Sequence, residues 1–499
     1  MTASQQDLAL REQAQGFLSR EVHHLIIDGQ SVPAASGKTM TTVNPSTGDV
    51  LARLASGGQA DVDRAVLAAR RAFKGPWSAW SPYERQALLT RVGQVLDAKF
   101  DELAQIEAVD MGAPVTRLRN SKAALMKMLS FFASQATNIS GETLMNGIPG
   151  SVTTMTLKAP VGVIGGIIPW NGPLVSQFWI IGAVLASGCT AVLKPASEAS
   201  LSVLRVAEIL LEAGVPAGVI NVVTGSGKDA GNALAAHPDV DRIAFTGSTQ
   251  TGRSIIQAST VNIKKLQLEL GGKSADIVCS DADLDKAVPG AAMGVFANSG
   301  QICFAGTRVL VQRPIVDEFT ERLLAFIKTL RVGNSLDDTA TLGPVISQNQ
   351  LDNVLSYIDV GRAEGAELLC GGQRLGDELE NGYFMQPSVF GGVTNDMRIA
   401  REEIFGPVLS IMPFDDIDEA IAIANDNEYG LGGAVWSQNL STALRVVHGV
   451  HTGTMWVNCY GYVDPMVGFN GTKMSGYGAK GTAAHMDTYL YTKSVYMQL

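Results

Sequence analysis

The sequence has no C-x-x-C pair, no apolar run of membrane-spanning length and no surplus of basic charge. Its five cysteines, at 189, 279, 303, 370 and 459, are odd in number, widely spaced and not grouped with the six histidines. That excludes a disulfide framework and a structural zinc site, and fits a reducing compartment such as the cytoplasm. The longest weakly polar run, residues 178-193, is interrupted by Gly182, Ser187, Gly188 and Thr190. It is shorter than the roughly 20 residues of a spanning helix, so it is expected to be buried core. With 38 basic against 48 acidic residues the net charge is −10, which argues against a nucleic-acid partner. The first residues carry Asp7 and Glu12 and no apolar core, so no targeting segment is expected there. Internal repeats and low-complexity linkers are also lacking. No metal site is expected.

The sequence is rich in glycine: 53 in 499 residues exceeds the average of roughly 7%. Such an excess points to tight turns and to backbone that approaches a ligand closely. Hydrophobic residues at 46% with charged residues at 17% describe a packed globular chain, and the length implies about three domains. From residue 160 onward, β-branched runs alternate with segments of helical period, the pattern of βαβ units around a parallel sheet. Residues 161-170, 190-196, 219-225, 242-247 and 264-272 read as strands, several ending in glycine. Ligands of open α/β sheets bind beyond the carboxyl ends of strands, where these glycines fall. Residues 61-73 and 200-213 read as helices. A second αβ series begins with SADIVC and ends near residue 470. The 139-160 stretch reads as a strand or hairpin, and the alternating tail YLYTKSVYMQL as a terminal strand open to pairing with another chain.

Several loops carry candidate chemistry. Cys303 lies in NSGQICFAGTR among small neighbours, and Glu269 lies 34 positions earlier in LELGGKS. A thiol needs a lowered pKa or a nearby base to act as a nucleophile. Position in the chain alone leaves Cys303 equally readable as a small buried hydrophobe. GSTQTGRS (247-254) resembles a phosphate-binding loop but has Arg253 where the lysine belongs, and GSGKDAG (225-231) misses the dinucleotide fingerprint by one residue. Together, after consecutive strands, they favour helix N-termini presenting N–H groups to a pyrophosphate. Lys194, in LKPASE, stands at a strand end where it could meet ribose hydroxyls or phosphate.

NPSTG at 44-48, PWN at 169-171, LKP at 193-195, FTGST at 245-249, the Glu269 and Cys303 motifs, EEIFGP at 402-407 and KMSG at 473-476 occur in this order. With them the chain resembles the aldehyde dehydrogenase superfamily over nearly its whole length. The resemblance implies two doubly wound Rossmann-like domains plus a small β oligomerisation arm. Its implied boundaries are 1-138 and 161-270 for cofactor binding, 271-474 for catalysis, and 139-160 with 475-499 for the arm. It further implies NAD(P)-dependent oxidation of an aldehyde to the acid. Cys303 would form the thiohemiacetal and then the thioester, Asn171 would hold the oxyanion with the Cys303 N–H, and Glu269 would activate water. The residues matching cofactor positions are Lys194, Ser197, Ile168, Trp170, Gly227, Gly247, Ser248, Glu403 and Phe405. A homodimer or homotetramer is implied, with a small-molecule aldehyde as substrate and neither nucleic acid nor membrane as partner.

Two departures qualify what the resemblance implies. Ser197 stands where many NAD-specific members have a glutamate, with Glu198 one residue later; serine removes a like-charge clash, so NADP acceptance is expected, alongside NAD. Lys480 stands where many hydrolytic members carry a glutamate, which puts the deacylation route in question. The substrate tunnel would be lined by Val175, Trp179, Ile302, Phe304, Val463 and Phe469, with small Gly172, Ser176 and Ala297 nearby, favouring a medium or large apolar aldehyde. Three alternatives compete. A CoA-acylating semialdehyde dehydrogenase is disfavoured by Glu269, an NTPase by Arg253, and a non-catalytic relative by the intact Cys303, Glu269 and Asn171.

Overall fold

The computed structural model describes residue 10 and residues 12–499 of the chain. Most of the N-terminal stretch expected to lack a targeting segment therefore lies outside the described residues. Two open sheets dominate. The larger runs in the spatial order Gln30–Val32, Leu25–Ile27, Ile220–Val222, Thr190–Pro195, Val163–Ile168, Arg242–Thr246, Lys265–Glu269 and Gly476–Tyr477. Its five central strands are parallel and its flanking strands antiparallel. In chain order the parallel five lie 3-2-1-4-5, the doubly wound order, so the direction of winding reverses between Val163–Ile168 and Arg242–Thr246. The second sheet runs Glu367–Cys370, Ser388–Gly391, Val408–Phe414, Arg308–Gln312, Ala275–Val278, Gly432–Trp436 and Thr454–Val457, parallel throughout except at its first strand.

The central strands of both sheets are buried on both faces, which is why they read as near-continuous apolar runs. Side chains alternate between the two coverings. Ile164 and Leu193 join the core beneath the helices Pro82–Met111 and Phe178–Ser187, whereas Val163 and Val192 join the core beneath Gln59–Lys74. In the second sheet Ile277 and Leu310 face one core, Val278 and Val309 the other. Every residue of Phe178–Ser187 is buried, so the run 178-193 is core, as its length required. No helix among the described residues is long and apolar enough to cross a membrane.

The arm is a three-stranded antiparallel sheet in which Leu490–Gln498 pairs along its full length with Val152–Pro160, itself paired with Thr143–Leu144. Eight of the nine residues of Leu490–Gln498 carry solvent exposure, and among the described residues its outer edge has no strand beside it. Gly476–Tyr477, a few residues earlier, instead closes the larger sheet against Leu268 and Glu269.

Candidate active site

The reversal of winding opens a cleft of about 500 Å³ at the carboxyl ends of the parallel strands. All twelve residues singled out from the sequence line it: Cys303, Glu269 and Asn171 together with Ile168, Trp170, Lys194, Ser197, Gly227, Gly247, Ser248, Glu403 and Phe405. They come from both halves of the molecule.

Cys303 stands on a loop that follows the helix Leu284–Phe296. Three successive residues before it, Asn298, Ser299 and Gly300, take positive φ (54°, 55° and 74°). Only glycine adopts that conformation without cost, so the first two mark strain held by their surroundings. Ser299 Oγ donates to the Gly343 carbonyl (2.6 Å), and Asn298 Nδ2 donates to the carbonyls of Asn171 (3.1 Å) and Gln301 (3.2 Å). Gly300 packs on the backbone of Gly406, with no room for a Cβ. The residue as a whole is half-buried, and burial of its thiol pushes the pKa up to about 12, with the Lys480 ammonium pulling in the opposite direction. The resting group is therefore the thiol, and a base must take its proton.

Glu269 ends the strand Lys265–Glu269. It is 5% exposed and neither carboxylate oxygen has a hydrogen-bond partner. Burial raises its pKa to about 7 against the pull of Lys480. A carboxyl group poised there can accept a proton near neutrality and return it. The glycines that follow it have a local reason. A methyl group at Gly271 would collide with the Glu403 carboxylate, and one at Gly272 with the Cys303 carbonyl. The backbone passes between the two halves of the site only because both side chains are missing.

Asn171 Nδ2 donates to the Gln301 carbonyl at 3.0 Å, which ties the amide to the Cys303 loop. An amide has two N–H donors, so one stays available to an oxyanion beside Cys303. Trp170 meets Phe405 edge-on at 5.2 Å, and Phe405 itself has φ of 57°. Glu403 accepts from Gly272 N–H at 3.1 Å, and burial raises it to about 7.

On the other flank, Ser248 caps the helix Thr249–Ala258 by accepting from Thr251 N–H at 3.2 Å, leaving that helix N-terminus open to the cleft. Arg253, the misplaced cation of the phosphate-loop look-alike, is exposed on the same helix. A Cβ built at Gly227 meets nothing within 4 Å, whereas one at Gly247 would strike the Phe245 ring. Lys194 is 4% exposed, its ammonium hydrogen-bonded to the Pro195 carbonyl (2.8 Å). Burial lowers it to about 8, and Glu198, which borders the cleft beside Ser197, raises it.

An aromatic wall adjoins Cys303. Phe304 packs on Trp456 and on Phe469, each with centroids 5.4 Å apart, and Tyr460 donates to the Phe304 carbonyl at 2.7 Å. Phe304 and Phe469 were expected there; Trp456 and Tyr460, on MWVNCY, were not singled out from the sequence. Gln350 and Asn353 were also missed. They open a helix, Gln348–Ala363, whose polar start looks like surface, yet Gln350 Nε2 holds the Phe405 carbonyl at 2.8 Å.

The family model for the aldehyde dehydrogenase family matches residues 32–495. The mitochondrial benzaldehyde dehydrogenase of Antirrhinum majus is 43% identical over 490 residues, 98% of this chain and 91% of its own. The mitochondrial aldehyde dehydrogenase of Homo sapiens is 43% identical over 477 residues, 95% of this chain and 91% of its own. Among solved structures, the NAD+ complex of aldehyde dehydrogenase from Bacillus cereus superposes with a TM-score of 0.95 at 41% identity, covering 98% of this chain and 99% of that one.

Proposed function

The chain belongs to the aldehyde dehydrogenase family, which oxidises aldehydes to carboxylic acids, and from that premise we propose that Cys303 is its nucleophile, Glu269 its base and Asn171 its oxyanion donor. The observation that carries this reading is the meeting of the three on one cleft with a raised carboxyl group beside a thiol. Glu269 takes the Cys303 proton, and Sγ bonds the aldehyde carbon to give a thiohemiacetal. The Asn171 amide and the Cys303 N–H hold the oxygen as it becomes negative, a donor pair whose single members are worth roughly 3–4 kcal/mol. Once Glu269 has released that proton to solvent and the thiohemiacetal has lost hydride to the nicotinamide acceptor to become the thioester, Glu269 takes a proton from water, whose oxygen bonds the acyl carbon; the C–Sγ bond then breaks and the acid leaves. Retention of Glu269 weighs against transfer to a thiol acceptor such as CoA.

The cleft fits a nicotinamide dinucleotide. Lys194 and Ser197 suit the adenosine ribose. The backbone of Gly227 and Gly247, with Ser248 at its helix N-terminus, suits the pyrophosphate, and Glu403 the nicotinamide ribose. Ile168, Trp170 and Phe405 supply apolar walls. When bound, the dinucleotide supplies the hydride acceptor. Ser197 offers a hydroxyl in place of a charge, so both NAD and NADP are accepted, with Glu198 at the cleft edge favouring NAD.

The aromatic wall of Phe304, Trp456 and Phe469 supports an apolar aldehyde of medium or large size, aliphatic or aromatic. The free edge of Leu490–Gln498 supports a homodimer or homotetramer joined through the arm of 139-160 and 475-499. The two sheets support a division into a cofactor half (1-138 and 161-270) and a catalytic half (271-474), although Gly476–Tyr477 lend a short strand to the former. The five free thiols fit a cytoplasmic setting. A panel of short, long-chain and aromatic aldehydes, followed by NADH and NADPH formation with Cys303→Ala as control, tests the assignment. Activity surviving in that variant would remove the nucleophile.

A further inference from the structure

Glu269 borders a second, much smaller cavity of about 20 Å³, room for about one water molecule. Four polar atoms of its lining are unsatisfied: Ser176 Oγ, Tyr489 Oη and both Glu269 carboxylate oxygens are buried without partners. Lys480 completes the wall. Its ammonium lies over two aromatic rings, 5.4 Å from the centroid of Trp179 and 5.5 Å from that of Phe469. Among the described residues no carboxylate stands within ion-pairing distance of it. The ring faces present their negative quadrupole to the cation, so they hold it without neutralising it. Its backbone is pinned as well, since Lys480 N–H donates to Asn470 Oδ1 (3.0 Å) and the Lys480 carbonyl accepts from Phe469 N–H (2.7 Å).

We propose that Lys480 is a positioning residue for thioester hydrolysis, its ring-clamped ammonium holding Glu269 as a carboxylate toward the water-sized cavity shared with Ser176 and Tyr489. This rests on Glu269 being the base. In that step one O–H bond of water breaks. The proton goes to Glu269 and the oxygen bonds the acyl carbon. The C–Sγ bond then breaks, the acid leaves, and the thiolate recovers the proton from Glu269. The step starts only from the ionised carboxylate, whose charge burial opposes and Lys480 favours. The other groups facing this space do not supply that cation. His485 is kept neutral by burial, lowered to about 3, and Tyr489 is raised to about 12. Arg242 is committed to Gln267 and to the Thr488 carbonyl, while Glu403 and the Cys303 thiol add only potential negative charge.

The test uses dinucleotide-free enzyme acetylated on Cys303 with p-nitrophenyl acetate, the decay of the acetyl-enzyme being followed by intact mass from pH 5.5 to 9. In Lys480→Met the acidic limb of that decay is expected to move up by about one pH unit, a roughly tenfold slower decay on the limb. Lys480→Glu moves it further, and Lys480→Arg returns it to within about half a unit of wild type. A Lys480→Met limb that coincides with wild type would overturn the proposal, whatever the Glu variant does. Should the Met variant fail to fold, Lys480→Gln takes its place with the same expectation. Glu269→Gln separates the two assignments. Wild-type decay in that variant removes Glu269 as base, whereas lost decay with an unmoved Lys480→Met limb removes Lys480 alone.

Discussion

Glu269 is useful because it is out of place: a carboxylate with no hydrogen-bond partner, in a site that burial makes hostile to its charge. Its pKa near 7 sets a direction for activity. Below that value the group is protonated and cannot accept a proton; above it the base form predominates. Turnover should therefore rise with pH through about 7, and Glu269→Gln should lose that limb and about 10²- to 10⁴-fold in steady-state rate, read from a pH series of kcat. Retention of the limb in the glutamine variant would assign it to another group. Ser197 makes a separate prediction. Ser197→Glu places a carboxylate beside Lys194, which should lower kcat/KM for NADP at least tenfold while sparing NAD. Equal losses for both cofactors would show that the position does not read the 2′-phosphate.

At the scale of elements, the strand ends are determined by what passes over them. The strand Lys265–Glu269 delivers Glu269 to the cleft, and Gly271 and Gly272 then let the chain slip past Glu403 and the Cys303 carbonyl. Gly272→Ala should push the nucleophile's loop aside, at a cost of roughly 1–3 kcal/mol in stability and with kcat falling more than KM changes. Thermal melts and steady-state kinetics check both parts; an alanine variant with wild-type kcat would mean that the loop yields freely. These elements were largely legible in the sequence. The strands expected at 190-196 and 242-247 are Thr190–Pro195 and Arg242–Thr246, and the helix expected at 200-213 is Leu201–Glu212. The positive φ angles of Asn298 and Ser299 were not legible, because neither residue type demands them. They arise from hydrogen bonds to Asn171, Gln301 and Gly343, two of which lie far away in the chain.

In the whole molecule, the C-terminal segment serves two regions at once. Leu490–Gln498 completes the arm, and just before it His485 stacks on Tyr489 at 5.3 Å and bonds the Trp179 carbonyl at 3.0 Å. Truncation before Leu490 should shift the protein to a smaller species in sedimentation velocity; an unchanged coefficient would place the subunit contacts elsewhere. His485 also ties stability to pH. Burial lowers it to about 3 in the fold, while the unfolded chain titrates near 6.5. As pH falls below 6.5 the unfolded state alone gains the proton, so this residue's contribution is lost, by about 2 kcal/mol at pH 5. The melting-temperature gap between wild type and His485→Gln should therefore shrink from pH 8 to pH 5, and a gap independent of pH would refute this. By itself the sequence determined the alternation of strands and helices, the buried run and the reactive residue types, because periodicity, glycine placement and motif order are local properties. The tertiary structure decided which of those residues meet. It placed Glu269 in a setting that raises its pKa, brought Trp456 and Tyr460 to Cys303, and set Lys480 between two rings. Each depends on burial and on partners distant in the chain, and those exist only once the two sheets are packed together.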